Sequence, residues 1–175
     1  MSPTRVATIT MSDTRTELDD EGGRVLGERL SAAGFEVASH RILREEPEVL
    51  RDAVRSLTAD ARIDAIVITG GTGLSPRDRT VEAIEPLFDR RIDGFGEAFR
   101  RLSWEQVGPR AILSNATAGL VAGRVVIALP GSVAAVRLAT DALLAPVLAH
   151  AVAIARGTKT AHHHGAKPTT GGDAC

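Results

Sequence analysis

The sequence predicts an α/β protein whose sheet is mostly parallel, and three observations lead to this prediction. Short apolar runs typical of buried strands alternate with segments in which apolar residues recur at helical spacing. The order strand, helix, strand, helix, strand implies parallel strands joined by right-handed crossovers. A glycine-rich loop, residues 69–78, starts at the end of one apolar run, where ligands bind in open α/β sheets.

The first half of the chain is predicted to contain three strands and two helices. The first helix follows the acidic run at residues 19–21, which supplies a cap and favourable charge, and it ends at Gly34. The second helix begins near Pro47, since a proline in the first turn loses no hydrogen bond. The strands are residues 6–10, 35–42 and 65–69.

The second half is predicted to contain two shorter helices, three short strands and one long helix. Thr80 is expected to cap a helix that runs to about residue 87, and residues 94–106 form the next helix. Pro146 is expected to bend the long helix at residues 132–155. The strands are residues 111–114, 118–121 and 124–129.

Size and composition favour a single globular domain. The 175 residues suffice to bury a core, and 43% hydrophobic with 25% charged residues is typical of soluble proteins. We expect residues 1–156 to form this domain. Residues 157–175 are rich in Gly, Thr and His without helical or strand periodicity, and we expect them to form a flexible tail.

Charge and cysteine content argue against several classes of protein. A net charge of −1 disfavours broad nucleic-acid binding. The single cysteine, Cys175, allows no intramolecular disulfide, as is compatible with a reducing cytosol. The apolar stretch at residues 134–155 carries Arg137, Asp141 and His150, so it is expected to pack as a helix rather than cross a membrane. No early segment resembles a secretory signal, and we expect a cytoplasmic protein.

The loop at residues 69–78 carries the strongest functional signal. Its glycines allow positive φ and close approach of the backbone to a ligand, and its successive N–H groups can bind an anion. The alternative is a tight strand-to-helix turn that needs glycine. The spacing matches neither a P-loop nor the dinucleotide-binding fingerprint. The residues of this candidate anion site are Thr69, Gly70, Gly71, Thr72, Gly73 and Ser75.

Asp78, at the end of this loop, suggests a metal ion. A carboxylate beside a bound anion repels it unless a cation bridges the two, and Mg²⁺ is the usual bridge between carboxylates and phosphates. The alternative is that Asp78 caps a helix or forms a surface ion pair with Arg77 or Arg79.

Two further turns follow apolar strands. Pro130, Gly131 and Ser132 precede the long helix, where the Gly131 N–H and the Ser132 hydroxyl can bind an anion. Alternatively, Ser132 only caps that helix. Ser12 and Asp13 follow the first strand and can bind a phosphate and a metal or ribose hydroxyl, or form an ordinary turn.

The remaining candidate functional residues are acidic residues and histidines. Glu45 and Glu46 follow the second strand and form an acidic rim, unless they only place negative charge at the next helix N-terminus. The run His162–His164 is expected to reflect the composition of the tail rather than a metal site. The sequence shows no Ser/His/Asp or Cys/His arrangement typical of nucleophilic catalysis.

Three segments resemble the MoaB/Mog family of molybdenum cofactor biosynthesis proteins. They are TGGTGLSPRD at residues 69–78, PLFDR leading into GFGE at residues 86–97, and LPGS at residues 129–132. The resemblance extends from about residue 6 to residue 155, and the middle segment with the following LSWE is closer to the MoaB branch. It implies a three-layer α/β/α molybdopterin-binding fold that assembles as a trimer or a dimer of trimers.

Catalytic members of that family transfer AMP from Mg-ATP to the terminal phosphate of molybdopterin and release pyrophosphate. The product is then handed on to other enzymes of the pathway for molybdate insertion. The resemblance implies catalytic roles for Asp78, Asp13 and Glu45, with Asp78 and Glu45 as Mg²⁺ ligands. Ser12 and the residues of both glycine turns would bind ATP and molybdopterin.

Four positions depart from the family pattern. Glu45 replaces a usual Asp, Arg79 an apolar residue, Val81 a Pro and Asn115 an Arg. The change at Asn115 removes a cation for which Arg79 can compensate. These departures leave open a non-catalytic molybdopterin-binding or scaffold protein. A pyrophosphatase that acts on nucleotide derivatives is a further alternative, because a related sheet-and-loop module occurs in such hydrolases.

Overall fold

Six strands form one mixed sheet in the computed structural model, which describes residues 3–157. They are β1 (Arg5–Met11), β2 (Glu36–Leu43), β3 (Ala65–Thr69), β4 (Arg90–Arg91), β5 (Thr117–Val121) and β6 (Arg124–Leu129). Their order across the sheet is β2-β1-β3-β6-β5-β4. The four strands from β2 to β6 in that order run parallel, while β5 is antiparallel to both of its neighbours.

Helices cover both faces of the sheet, which confirms the three-layer α/β/α architecture. The α-helical segments are α1 (Glu21–Ala32), α2 (Pro47–Ala59), α3 (Thr80–Ile84), α4 (Asp93–Val107), α5 (Val133–Ala139) and α6 (Ala145–Ala155). Leu26, Phe99 and Leu148 bury α1, α4 and α6 on one face. Leu50 and Ile84 bury α2 and α3 on the other.

The central position of β3 in the sheet explains its continuous apolar run, residues 65–68. Ala65 and Val67 belong to the core on one face, whereas Ile66 and Ile68 belong to the core on the other, and all four are fully buried. Successive side chains of a strand point to opposite faces, so a strand covered by helices on both sides has no solvated face. The continuous apolar run was therefore a sound signal for a central parallel strand.

The helix boundaries predicted in the first half of the chain are confirmed. Asp20 is the N-cap of α1, and its side chain accepts a hydrogen bond from the Gly23 amide. Gly34 follows the end of α1 with φ of +89°, the left-handed conformation that glycine adopts without strain. Pro47 is the first residue of α2.

Two sequence predictions about the second half are wrong, and one short strand was not predicted. Residues 111–114 do not form a strand, because they belong mostly to the 3₁₀ helix Gly108–Leu113, which Pro109 opens. Thr80 does not cap α3 but is its first residue, since its hydroxyl donates to the Gly70 carbonyl instead. The two-residue strand β4 was missed, being too short to show periodicity.

The long C-terminal helix is continuous but irregular. A π-helical turn, Thr140–Leu144, joins α5 to α6. Pro146 lies in the first turn of α6, and its ring cannot donate the hydrogen bond that a regular helix requires there. The wider turn just before it accommodates the missing donor. The sequence predicted a bend at Pro146, and the structure shows a change of hydrogen-bond pattern next to this residue.

The combined helical run Val133–Ala155 has the length and composition that could cross a membrane. In this fold it packs against the sheet through Val136, Leu144 and Leu148, as the sequence predicted for a packed helix. Asp141 on its outer side pairs with Arg29 of α1.

The tail predicted at residues 157–175 lies outside the described residues, except for Gly157. The same is true of His162–His164 and Cys175. The boundary near residue 156 therefore stays a prediction, as does the absence of a metal site in the histidine run.

Candidate functional site

The turns after β1, β3 and β6 meet at one edge of the sheet. Thr10, Thr69 and Leu129 are in register across the three parallel strands, so the strands end level with one another. The chain leaves β1 toward β2 on one side, while β3 lies on its other side. Such a reversal of strand order opens a crevice where α/β proteins bind ligands. A cleft of about 410 Å³ occupies this position.

Many of the predicted binding residues line this cleft, and several do not. The predicted residues that line it are Ser12, Glu45, Thr69, Gly70, Gly71, Gly131 and Ser132. The predicted residues outside the lining are Asp13, Thr72, Gly73, Ser75, Asp78 and Pro130. Three lining residues were missed by the sequence analysis, namely Thr10, Met11 and Arg15.

Glycines allow the two loops of the cleft to touch through their backbones. Gly70 has φ of +93°, and a Cβ there would lie 2.4 Å from the Met11 carbonyl oxygen. Its amide donates to the Leu129 carbonyl at 3.0 Å. A Cβ on Gly131 would lie 3.1 Å from the Gly70 Cα. The tight-turn interpretation is therefore correct, and these same glycines leave main chain, not side chains, facing the cleft.

Hydrogen bonds from behind hold the glycine loop in place. The Thr80 hydroxyl donates to the Gly70 carbonyl at 2.9 Å, and the Thr80 amide donates to the Gly71 carbonyl at 2.9 Å. The Asn115 side chain donates to the Gly73 carbonyl at 3.4 Å. Asn115 therefore supports the shape of the loop but brings no cation to it.

Asp78 closes a tight turn within the loop. Its Oδ2 accepts from the Ser75 amide at 3.0 Å, and its own amide donates to the Ser75 carbonyl at 2.9 Å. Arg77 pairs instead with Asp13 at 2.9 Å. Arg79 is the N-cap of α3 and pairs with an acid of that helix. The helix-cap and arginine-pair alternatives for Asp78 are thus wrong, and Arg79 does not line the cleft as a replacement cation.

Three carboxylates gather beside the cleft. Burial raises the pKa of Glu45, the negative charges of Asp78 and Asp13 raise it further, and Arg77 opposes them. The Glu45 amide donates to Asp13 Oδ1 at 3.2 Å. Glu45 Oε2 is buried and has no hydrogen-bond partner among the described residues. The negative charges of Glu45 and Asp78, which are distant in sequence, therefore repel one another at this site.

The carboxylates fit a cation that is shared with a ligand. Within residues 3–157, no group of three His, Cys, Asp or Glu side chains could hold a metal ion by itself. Mg²⁺ prefers oxygen ligands and is usually held by one or two carboxylates together with substrate phosphates. The Glu45 oxygen that lacks a partner is a donor of this kind. The arrangement suits Mg²⁺ bound with a phosphate rather than a closed metal centre.

The two serine hydroxyls at the cleft also stabilise local structure. Ser12 Oγ accepts from the Arg15 amide at 3.1 Å, as in an ordinary turn. Ser132 Oγ accepts from the Ala135 amide at 3.2 Å and caps α5. Both residues line the cleft as well. The turn and cap interpretations are correct, and each hydroxyl lies where a ligand would contact it.

Arg15 is the only cation among the described residues that line the cleft. Its Nη1 lies 3.3 Å from Oδ1 of the buried Asp20. Burial alone would raise the pKa of Asp20, but hydrogen bonds from Thr10, Gly23 and His40 outweigh it and keep that pKa below its ordinary value. The sequence signal that could have identified Arg15 is its position, because Arg15 closely follows the turn after β1.

Both the sequence and the fold of this chain are similar to those of known proteins. Residues 7–150 match the sequence family described as "Probable molybdopterin binding domain". Molybdenum cofactor biosynthesis protein B from Bacillus subtilis is 44% identical over 149 residues, covering 85% of this chain and 88% of that protein. A crystal structure of a molybdenum cofactor biosynthesis protein B superimposes with a TM-score of 0.86 at 39% identity, covering 89% and 98%.

A second solved structure extends the comparison. The tungsten cofactor synthesizing protein MoaB from Pyrococcus furiosus superimposes with a TM-score of 0.81 at 34% identity, covering 89% of this chain and 99% of that one. Each of these three comparisons covers at least 85% of this chain.

Proposed function

The chain belongs to the molybdopterin-binding family of molybdenum cofactor biosynthesis proteins, in its MoaB branch, and from that premise we propose that it is a molybdopterin adenylyltransferase. It transfers AMP from Mg-ATP to the terminal phosphate of molybdopterin and releases pyrophosphate. The adenylylated product passes to other enzymes that insert molybdate. The cytoplasm, predicted from the sequence, is the compartment we propose for this reaction.

One observation carries the proposal: two glycine turns line a single cleft together with Glu45, and the charges of Asp78 and Asp13 act on Glu45 from beside the cleft. The backbone faces of Gly70, Gly71 and Gly131 provide a surface on which phosphates can lie close to the main chain. Glu45, with Asp78 and Asp13 beside it, supplies the negative charge that a phosphate-bound cation requires.

The reaction needs positioning and charge control rather than a protein nucleophile. An oxygen of the molybdopterin terminal phosphate attacks the α-phosphorus of ATP. The bond from that phosphorus to the α–β bridging oxygen breaks, and pyrophosphate leaves with the electron pair. The Ser12 and Ser132 hydroxyls and the glycine turns orient the two phosphate groups for this displacement. This explains why the sequence lacks an activated serine or cysteine.

Glu45 and Asp78 are the residues that would hold Mg²⁺. When bound, Mg²⁺ supplies charge neutralisation on the phosphate oxygens and on the departing pyrophosphate. Asp78 also keeps the Ser75 turn closed, so its carboxylate is fixed before any ligand arrives.

The direct test is a transfer assay with the purified full chain. The protein is incubated with molybdopterin, α-labelled ATP and Mg²⁺, and the products are separated to look for labelled adenylyl-molybdopterin and pyrophosphate. We expect both products, in equal amounts, and loss of both when Mg²⁺ is removed by a chelator. Mixing without protein is the control for spontaneous reaction.

The same assay separates the alternatives. Tight binding of molybdopterin without product would favour the non-catalytic scaffold, which the replacement of an Arg by Asn115 at the glycine loop would then explain. Hydrolysis of ADP-ribose-like compounds in the absence of molybdopterin would favour a pyrophosphatase. Either result would overturn the adenylyltransferase.

A further inference from the structure

Arg15 has an environment unlike that of an ordinary surface arginine. Its side chain is 37% exposed, and its Nη1 is paired with a carboxylate whose own side chain is only 3% exposed. Of the thirteen cation–carboxylate pairs among residues 3–157, most join two side chains that both reach solvent, such as Arg24 with Glu28. Arg15 alone among the described cations combines a buried partner with a place in the cleft lining.

Asp20 is held rigidly from different parts of the fold. The Gly23 amide of α1 donates to Oδ1 at 3.0 Å. His40 Nε2, on β2, lies 3.0 Å from Oδ2, and His40 Nδ1 lies 2.9 Å from the Thr8 hydroxyl on β1. Because these groups belong to separate elements, the carboxylate cannot rotate without breaking bonds to the core. A charge fixed in this way is a firm anchor for a mobile side chain.

Close packing around the Asp20 carboxylate also keeps Arg15 at the cleft. A Cβ on Gly22 would lie 3.4 Å from Arg15 Nη1 and 3.1 Å from the Gly131 carbonyl oxygen. The start of α1 therefore fits against the guanidinium and the second glycine turn. Since one nitrogen of the guanidinium contacts Asp20, the other N–H groups of its planar fork are available to a ligand, and that geometry matches a phosphate.

We propose that Arg15 binds a phosphate of the substrate in this cleft, and that Asp20 is a positioning residue that fixes the Arg15 guanidinium for that contact. The identity of the phosphate ligand rests on the proposed function, but the Arg15–Asp20 arrangement does not. Arg15 supplies the cleft with a cation. Asn115 brings no charge to the glycine loop, Arg77 of that loop pairs with Asp13, and Arg79 pairs with an acid of α3.

Asp20 has a simpler role that must be separated from this one, because it is also the N-cap of α1. The substitution Asp20→Asn separates them, since asparagine caps a helix about as well as aspartate but carries no charge. Removal of a negative charge near an anion site would by itself tighten anion binding. Weaker binding in Asp20→Asn would therefore report lost positioning of Arg15, and not a general electrostatic effect.

The test measures binding of ATP and of inorganic pyrophosphate to the full chain by calorimetry, with no Mg²⁺ present. We expect Arg15→Gln to weaken binding by roughly tenfold to a hundredfold, as for loss of a charge-assisted hydrogen bond. Asp20→Asn should weaken it by roughly threefold to tenfold. The double variant should bind no worse than Arg15→Gln alone, because both changes remove one interaction. Arg24→Gln, which removes a cation from the outer side of α1, is the matched control and should bind like the parent.

The possible outcomes separate the proposal about Arg15 and Asp20 from the proposed adenylyltransferase reaction. Parent-like binding by Arg15→Gln would overturn this inference while leaving the adenylyltransferase intact. Tighter binding by Asp20→Asn, or additive effects in the double variant, would overturn the positioning role of Asp20. Failure of the parent chain to bind ATP or pyrophosphate without Mg²⁺ would overturn the phosphate contact of Arg15. Failure to bind ATP when Mg²⁺ is added would also count against the proposed reaction, whereas binding without AMP transfer would count only against the reaction.

Discussion

The cleft contains charged side chains whose surroundings disfavour the charged form. Glu45 is the clearest case, because burial and two neighbouring carboxylates raise its pKa together and one of its oxygens has no hydrogen-bond partner within the described part of the chain. A carboxylate kept in such surroundings lowers stability at neutral pH, which is typical of groups that serve a ligand rather than the fold.

Replacing Glu45 by Gln is expected to raise the melting temperature at about pH 7.5 by roughly 1–3 °C. The pKa of Glu45 in the folded protein lies above the ordinary value of 4.5. The folded state therefore favours the protonated form, and stability falls as pH rises from that value through the raised pKa. Gln lacks this penalty. At about pH 4 both side chains are neutral and the difference should vanish; a larger gain at pH 4 than at pH 7.5 would contradict the assignment.

Replacing Asp78 by Asn is expected to reduce AMP transfer by about a hundredfold or more while leaving the melting temperature unchanged. Asparagine can still accept the Ser75 amide bond, so the turn survives without the charge. Asp78→Ala should lose the activity and also about 1 kcal/mol of stability, because that bond is removed. Asp52→Asn, on the exposed side of α2, is the control and should transfer at the parent rate. Parent-like transfer by Asp78→Asn would refute a role in metal binding.

The backbone of this protein is most restricted in the turns between its strands and helices. Gly70 and Gly71 both have positive φ in the first glycine turn. The hairpin between β5 and β6 also places two residues at positive φ, Ala122 at 48° and Gly123 at 74°. Glycine adopts positive φ without strain, so the glycine turn is unstrained. The hairpin turn places an alanine at positive φ, where its Cβ is strained.

Gly70→Ala is expected to disrupt the cleft, because the added Cβ would meet the Met11 carbonyl oxygen at 2.4 Å and the backbone is in the left-handed region. We expect a loss of roughly 2 kcal/mol or more of unfolding free energy, with loss of ATP binding. Gly27→Ala, inside α1 with nothing within 4 Å, is the matched control and should gain roughly 0.5–1 kcal/mol. Urea unfolding measures both, and equal effects would show that the Gly70 contact is not restrictive.

Ala122→Asn is expected to stabilise the protein by about 0.5–1 kcal/mol. A two-residue hairpin turn with positive φ at both positions favours Asn followed by Gly, since alanine is strained there. Ala122 is exposed, and its backbone amide, which donates to Asp89, is retained in the variant. Thermal melts would show a rise of roughly 1–4 °C. A lower melting temperature would mean that the turn does not accept asparagine.

The whole molecule exposes apolar surface along the outer side of its C-terminal helix. Val147 and Ile154 are 53% and 59% exposed, although they lie in a helix otherwise packed on the sheet. An apolar cavity of about 240 Å³ lies between this helix and α4, lined in part by Phe95 and Val147. Exposed apolar surface of this kind is typical of an interface between chains.

We predict that the full chain self-associates as a trimer or a dimer of trimers and that this surface contributes to the contact. Light scattering should then give three or six times the 18.4 kDa chain mass. Val147→Glu should shift the mass toward that of one chain, because the carboxylate would be buried without a partner. Leu18→Glu, at a fully exposed apolar residue in the loop before α1, is the control and should not change it. A single-chain mass for the parent protein would remove the prediction.

The sequence alone determined the order of strands and helices in the first half, the buried character of β3 and the position of both glycine turns. These follow from local physics: periodicity, caps, and the conformational freedom of glycine at Gly34 and Gly70. It failed at residues 111–114 and at β4, since three apolar residues or a two-residue pair carry too little periodicity to identify a strand.

Only the tertiary structure decided which charges meet. Glu45, Asp13 and Asp78 follow different strands, and Arg15 depends on a carboxylate at the start of α1 that is anchored by His40 on another strand. Such partners are far apart in the chain, and no local pattern records whether an arginine faces the cleft, as Arg15 does, or an acid of its own helix, as Arg79 does. Local sequence thus determines where ligand-binding turns occur, whereas packing of distant elements determines the electrostatics within them.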